Sequence, residues 1–288
     1  MTTAAAVQAA AAATPSTSDD AAVTGANTAA VAAKAAADAA KSLADAEVAN
    51  ASAQIINFTG QTYTLTTALD TVTGTIANDV INGSIEYAIT SASSSIANAS
   101  TFTVADQINA GGGTDVLNLA ISGGIDGGVV AIPAATVTNV EKLFIRNVGN
   151  EASNGVDSIG IDASLFAGLT EVWSDRSTAT LTVANLATGG TFGVKGNGTV
   201  VTNDTMSFGY ATATDAIALA LADGVKAGAN TDITVSTTGS TAATITSTGA
   251  ANSVDVVTLH TGGATVKAAT IDATTNVNFG AGNTGDQV

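Results

Sequence analysis

The chain has 288 residues, of which only 4% are aromatic and 11% charged, and its formal net charge is −16. That balance argues against binding nucleic acid or anionic lipid, because the long-range field repels phosphate and attracts cations. The absence of cysteine removes disulfides, thiolate catalysis and Cys-ligated metal, while 45% hydrophobic residues argue against disorder.

Residues 1–27 are low-complexity Ala/Thr/Ser with Pro15 and Ser18-Asp19-Asp20, which reads as a flexible leader. Met1 to Thr14 carry no Lys or Arg and no Leu-rich core, so this stretch does not read as a secretory signal peptide. From Thr28 to about Gln54 alanine dominates, with Lys34/Asp38 and Lys41/Asp45 four apart, and this predicts a helix over about 28–55. Val31, Leu43 and Val48 make only a thin apolar stripe, so the helix is expected to dock on a neighbour.

After Ile55 the pattern turns to period two. Segments such as Tyr63–Thr66, Thr71–Thr73, Asp115–Leu119, Leu143–Ile145, Thr180–Val183, Ile233–Val235, Thr244–Thr246 and Val256–Leu259 read as short strands between Gly/Asn/Asp turns. Sandwiches need larger core residues than this chain offers, whereas stacked coils are filled by small β-branched ones. The expected fold is mainly β, a parallel β-roll or β-helix (solenoid) over 56–288 behind an Ala-rich N-terminal helix. Ala163–Leu169 and Thr214–Asp223 read as helical or turn-rich interruptions. The final Gly285-Asp286-Gln287-Val288 resembles the middle of a repeat, so further chain is expected beyond it.

The chemistry lies in an Asp followed two residues later by an aliphatic: Asp70/Val72, Asp79/Ile81, Asp106/Ile108, Asp115/Leu117, Asp157/Ile159, Asp204/Met206, Asp215/Ile217, Asp255/Val257 and Asp286/Val288. In the nonapeptide G-G-x-G-x-D-x-U-x, glycines turn the chain, the Asp supplies a carboxylate to Ca2+ shared between turns, and the apolar residue anchors a strand. Ala110-Gly111-Gly112-Gly113-Thr114-Asp115-Val116-Leu117-Asn118 fits that register with the first Gly replaced by Ala. The competing reading of each Asp is a turn or coil-corner residue that binds backbone, as for Asn78-Asp79 and Asn203-Asp204.

The run Gly74-Thr75-Ile76-Ala77-Asn78-Asp79-Val80-Ile81-Asn82-Gly83, then Ala105 to Leu117, then Val137-Thr138-Asn139-Val140-Glu141-Lys142-Leu143, resembles RTX-related calcium-binding proteins. The resemblance is to S-layer proteins of Gram-negative bacteria exported by type I secretion, and is clearest over about Phe58–Leu143. It implies a secreted, self-assembling structural subunit at the cell surface with Ca2+ as cofactor, and no enzyme activity. The expected metal residues are Asp79, Asp106 and Asp115, supported by Asn78 and the carbonyls of Gly111 and Gly113, then Asp70, Asp204, Asp255 and Asp286. The expected partners are further copies in a lattice, and lipopolysaccharide or another envelope component through the N-terminal region. Long uninterrupted nonapeptide arrays are absent, and Ile85–Thr103 inserts a Ser-rich stretch between the first two motifs.

The remaining candidates have structural readings. His260 ends an apolar segment without a catalytic grouping around it, and Trp173 reads as a core or coil-stacking aromatic. Glu171 and Asp175 are a carboxylate pair that a β-helical polysaccharide-degrading enzyme could use, but substrate-binding aromatics are scarce. An RTX-type adhesin or matrix protein is the other alternative.

Overall fold

The computed structural model describes residues 17–89, 94–97, 99–125, 129–151, 158–196, 205–212, 216–225, 232–236, 242–254, 256–259, 268–273 and 277–279. The chain divides into two compact units, 1–55 and 56–288.

The first unit is helical. Helix α1 covers Thr17–Phe58, so it begins inside the 1–27 segment expected to be a leader and runs past the expected end. Ala21, Ala22 and Ala26, at the top of the propensity scale, carry the N-terminal extension, the C-terminal one being Ile56-Asn57-Phe58, and Asp20 sits near the helix start, where a carboxylate favours the positive end of the helix dipole. The ion pairs Lys34–Asp38 (2.6 Å) and Lys41–Asp45 (2.7 Å) form as the spacing predicts. Val31, Leu43 and Val48 are all exposed. Among the described residues no helix is long and apolar enough to cross a membrane.

The second unit is mainly β, built of parallel sheets. Along the main path of each sheet, successive strands pass from one sheet to another and return one place along the first, in parallel. Thus Gln107–Asn109, in a 4-stranded sheet, leads to Val116–Ile125 in an 11-stranded sheet. Val129–Ala131 follows in a 6-stranded sheet, and the cycle resumes at Thr136–Thr138 and Lys142–Asn147. Among the described residues, the one antiparallel pairing within the long sheet joins Val80–Ile89 to Ser94–Ile96, inside the Ser-rich insertion.

Register stacks like on like. On the inward face of the long sheet Ile81, Leu117, Leu143, Val172, Phe192, Leu219 and Ile245 form one column of neighbours, each fully or almost fully buried. The 6-stranded sheet contributes Ile159, Leu181, Met206, Ile233 and Val257 in the same manner. Burial of these aliphatics at ~25 cal/mol per Å2 supplies the driving force. Phe192 is the bulkiest inclusion, stacked on Phe208 at 4.8 Å and edge-on to Tyr210 at 4.9 Å.

Two interruptions were expected, and one forms. Ala163–Leu165 is a 3-10 turn capped by Asp162, whose side chain accepts from Ser164 N. The expected interruption at Thr214–Asp223 is instead the strand Ala216–Ala222. Its Ala and Leu content favours helix, but Ile217, Leu219 and Leu221 alternate with small residues, and pairing with strands on both sides overrides propensity.

Inward-facing polar groups are satisfied in kind. Buried Asn252 accepts from the backbone N–H groups of Gly224 (3.0 Å) and Val225 (2.9 Å) and donates to Ser247 Oγ at 2.8 Å. Buried Asn147 donates to the Thr180 carbonyl at 2.9 Å.

Candidate functional site: an acidic ladder at the strand entrances

Asp79, Asp115 and Glu141 each stand immediately before a strand of the long sheet, at Val80–Ile89, Val116–Ile125 and Lys142–Asn147. An acid followed two residues later by an aliphatic places them there: that second residue points into the core and fixes the strand, as Ile81, Leu117 and Leu143 do. Parallel in-register pairing then sets each carboxylate beside its predecessor.

The result is a chain of charge-assisted bonds. Gln61 N donates to Asp79 Oδ1 (2.5 Å), Asp79 N donates to Asp115 Oδ1 (2.6 Å), and Asp115 N donates to Glu141 Oε2 (2.8 Å). Asp79 Oδ2 also accepts from Thr75 N at 2.6 Å, so both its oxygens are held. A second ladder precedes the 4-stranded sheet, where Asp106 accepts from Asp70 N (3.0 Å) on one oxygen and from Thr103 N (2.7 Å) on the other. Asp70 in turn accepts from Thr66 N at 2.7 Å. Asn78 Oδ1 accepts from Thr114 N at 2.8 Å, which ties the same two corners together.

Gly111 and Gly113 occupy left-handed φ values of 95° and 121°, and a Cβ at Gly111 would overlap the Thr75 carbonyl. Their role is close approach: only glycine lets this corner lie against the Gly74–Asn78 corner, where Gly112 N donates to Thr75 O at 2.9 Å. Asp204, Asp255 and Asp286, together with His260, lie outside the described residues.

Asp115 breaks the pattern of full satisfaction. The residue has no solvent exposure, and its Oδ2 has no hydrogen-bond partner among the described residues. Burial pushes its carboxyl above the ordinary value of 3.8, and the neighbouring charges of Glu141 and Asp79 push the same way, against the Asp79 N–H that favours the anion. No protein-family model matches the chain, nor does any curated protein or solved structure compared with it.

Among the ladder carboxylates the fit to a hard cation therefore rests on one buried, unpartnered atom. Asp115 Oδ2 is a free carboxylate oxygen in an acidic, water-poor setting, which suits Ca2+ or a proton. Asp79 and Asp106 spend their oxygens on backbone N–H groups. Among the described residues no group of three or more acidic or histidine side chains is arranged to hold a metal ion.

Sequence reasoning missed Glu141, which lies beyond the glycine-rich register and carries no D-x-U signature. Its position before Lys142-Leu143-Phe144-Ile145, a short alternating strand, was the available signal.

Proposed function

We propose that the chain is a structural subunit of a bacterial surface layer, secreted and assembled outside the cell with Ca2+. In this reading the three main sheets wind as one β-solenoid, each coil resting on the last, and the carboxylate ladders are staples at the coil corners. The observation that carries it is the Asp79–Asp115–Glu141 ladder: a repeated device for stacking coils, with a single buried carboxylate oxygen left over for a cation. Asp115 would hold Ca2+, with Glu141 the nearest further carboxylate in the ladder. The ion would supply charge neutralisation beside Asp115, where three acids follow one another along the ladder in a chain of net charge −16.

Such a site is weak, because most of its ligands must come from carbonyls and water, and weak sites fill at extracellular but not intracellular calcium. Folding would then be deferred until export. The solvent-facing Val31, Leu43 and Val48 of helix α1 offer surface for a neighbouring copy or an envelope component.

The enzyme alternative finds its two carboxylates already engaged. Glu171 pairs with Lys142 Nζ (2.9 Å) and accepts from Trp173 Nε1 (2.8 Å), and Asp175 is held by Arg176 at 2.8 Å.

The test is size-exclusion light scattering with circular dichroism while Ca2+ is titrated from chelator to millimolar, with Mg2+ as control. A Ca2+-specific gain in β signal together with growth into large particles supports the proposal, and Asp115→Ala should blunt both. A folded monomer indifferent to chelator overturns it.

A further inference from the structure

The chain holds 8 Lys and Arg, and Lys142, Arg146, Arg176 and Lys195 lie together on or beside three neighbouring strands of the long sheet, Lys142–Asn147, Glu171–Asp175 and Thr191–Lys195. Alternation turns Lys142, Phe144 and Arg146 outward, opposite the buried Leu143 and Ile145. Phe144 stacks on Trp173 with ring centroids 5.7 Å apart and planes 12° from parallel. Trp173 covers one face of Phe144 and lies against Gly193 on its own far side, where any Cβ would strike the indole. A cleft of about 230 Å3 opens beside Phe144, lined by Asn118, Ala120, Phe144, Arg146, Asp175 and Arg176.

Three features of this cleft point to a ligand. Arg146 is exposed, and among the described residues it alone of these four cations makes no ion pair: Lys142 pairs with Glu171, Arg176 with Asp175 and Lys195 with Asp223. Arg176 is held at φ 54°, while the other non-glycine residues at positive φ among the described residues are Asn139, Asn185 and Asp223, types that tolerate it. A long side chain kept in that conformation at a cleft is a recurrent mark of binding sites. Finally, the lining carries Arg146 and Arg176 against Asp175, a local surplus of one positive charge on a strongly acidic chain.

We propose that this cleft binds a uronate residue of an acidic glycan. The Arg146 guanidinium takes the sugar carboxylate in a bidentate pair. The apolar face of the ring lies on Phe144, and hydroxyls donate to the lone pairs Asp175 keeps beside its Arg176 pair and to the amide oxygen of Asn118, whose Nδ2 is already spent on Asn82 at 2.9 Å. Volume agrees, since the cleft is smaller than the ~300–1,000 Å3 typical for drug-sized ligands and suits a single ring. A phosphate dianion fits less well, because Asp175 would oppose the second charge and the aromatic face would be idle. At physiological ionic strength charges beyond ~8 Å are screened, so the local surplus governs capture in spite of the chain's overall sign. The inference does not rest on the calcium or lattice reading.

The test is calorimetric titration of the full chain with trigalacturonic acid, its neutral methyl ester and inorganic phosphate, at one fixed Ca2+ concentration in both solutions. Fluorescence of Trp173, the only tryptophan, reports the same event through its Phe144 contact. Binding of the acid is expected, weakened by roughly tenfold or more on esterification or in Arg146→Met, the scale of one charge-assisted bond. Phe144→Leu should weaken it too, with circular dichroism unchanged in both variants because each position faces outward. Absence of binding overturns the proposal, as does affinity indifferent to Arg146→Met. Equal affinity for phosphate with no effect of Phe144→Leu would show an unspecific anion patch and overturn it as well.

Discussion

Asp79 gives its backbone N–H to Oδ1 of Asp115 at 2.6 Å, and the second oxygen of that carboxylate is buried without a partner among the described residues. One residue therefore joins two strands and carries an unsatisfied charge. Its folded-state carboxyl is raised, so without cation it favours the folded state below the ordinary value of 3.8, and this contribution is lost as pH rises through the higher folded value. In chelator, melting temperature should fall with rising pH across that window. Added Ca2+ should flatten the slope, and Asp115→Asn should remove it, as followed by thermal circular dichroism at several pH values.

Asp106 gives the contrasting case, because both its oxygens accept backbone N–H groups. Asp106→Ala strands the part-buried donors of Asp70 and Thr103 and should cost about 1–2 kcal/mol. Denaturant titration with and without Ca2+ should show the same loss in each, which separates a staple from a ligand.

Gly193 lies under the Trp173 indole. Gly193→Ala should push the ring off the sheet and destabilise by about 1–3 kcal/mol, as overpacking does. A red-shifted tryptophan emission with easier quenching is the expected signal, and unchanged emission would count against the contact.

Asn252 satisfies two backbone N–H groups and Ser247 from within the core. Asn252→Ala should leave those donors buried and unpaired at a cost of several kcal/mol, on the order of 2–4, from a network sharing one side chain. Urea unfolding provides the measurement, and Asn252→Asp should recover only part of the loss, since it keeps the acceptors but buries a charge.

The strands were legible because period two needs only local sequence: Thr71-Val72-Thr73 and Thr244-Ile245-Thr246 alternate whatever lies beside them. The corner positions of Asp79, Asp106 and Asp115 were legible for the same reason, being tied to Ile81, Ile108 and Leu117 two residues on. What each carboxylate binds was not, because Asp79 meets Asp115 across 36 residues and Asp115 meets Glu141 across 26. Unequal spacing of this kind hides the ladder from any search for a fixed repeat. Ala216–Ala222 was obscured differently: Ala and Leu speak for a helix locally, and only the flanking strands decide otherwise.

The ladders also bear on how such a chain changes over generations. Each rung touches only the one before and the one after, so removing or duplicating one complete turn of sequence breaks no bond that the ends cannot remake with their new neighbours. Shifting a turn by a single residue, by contrast, would point every core aliphatic of that strand at water. Length is thus the dimension such an architecture can change at little cost, and phase the one it cannot.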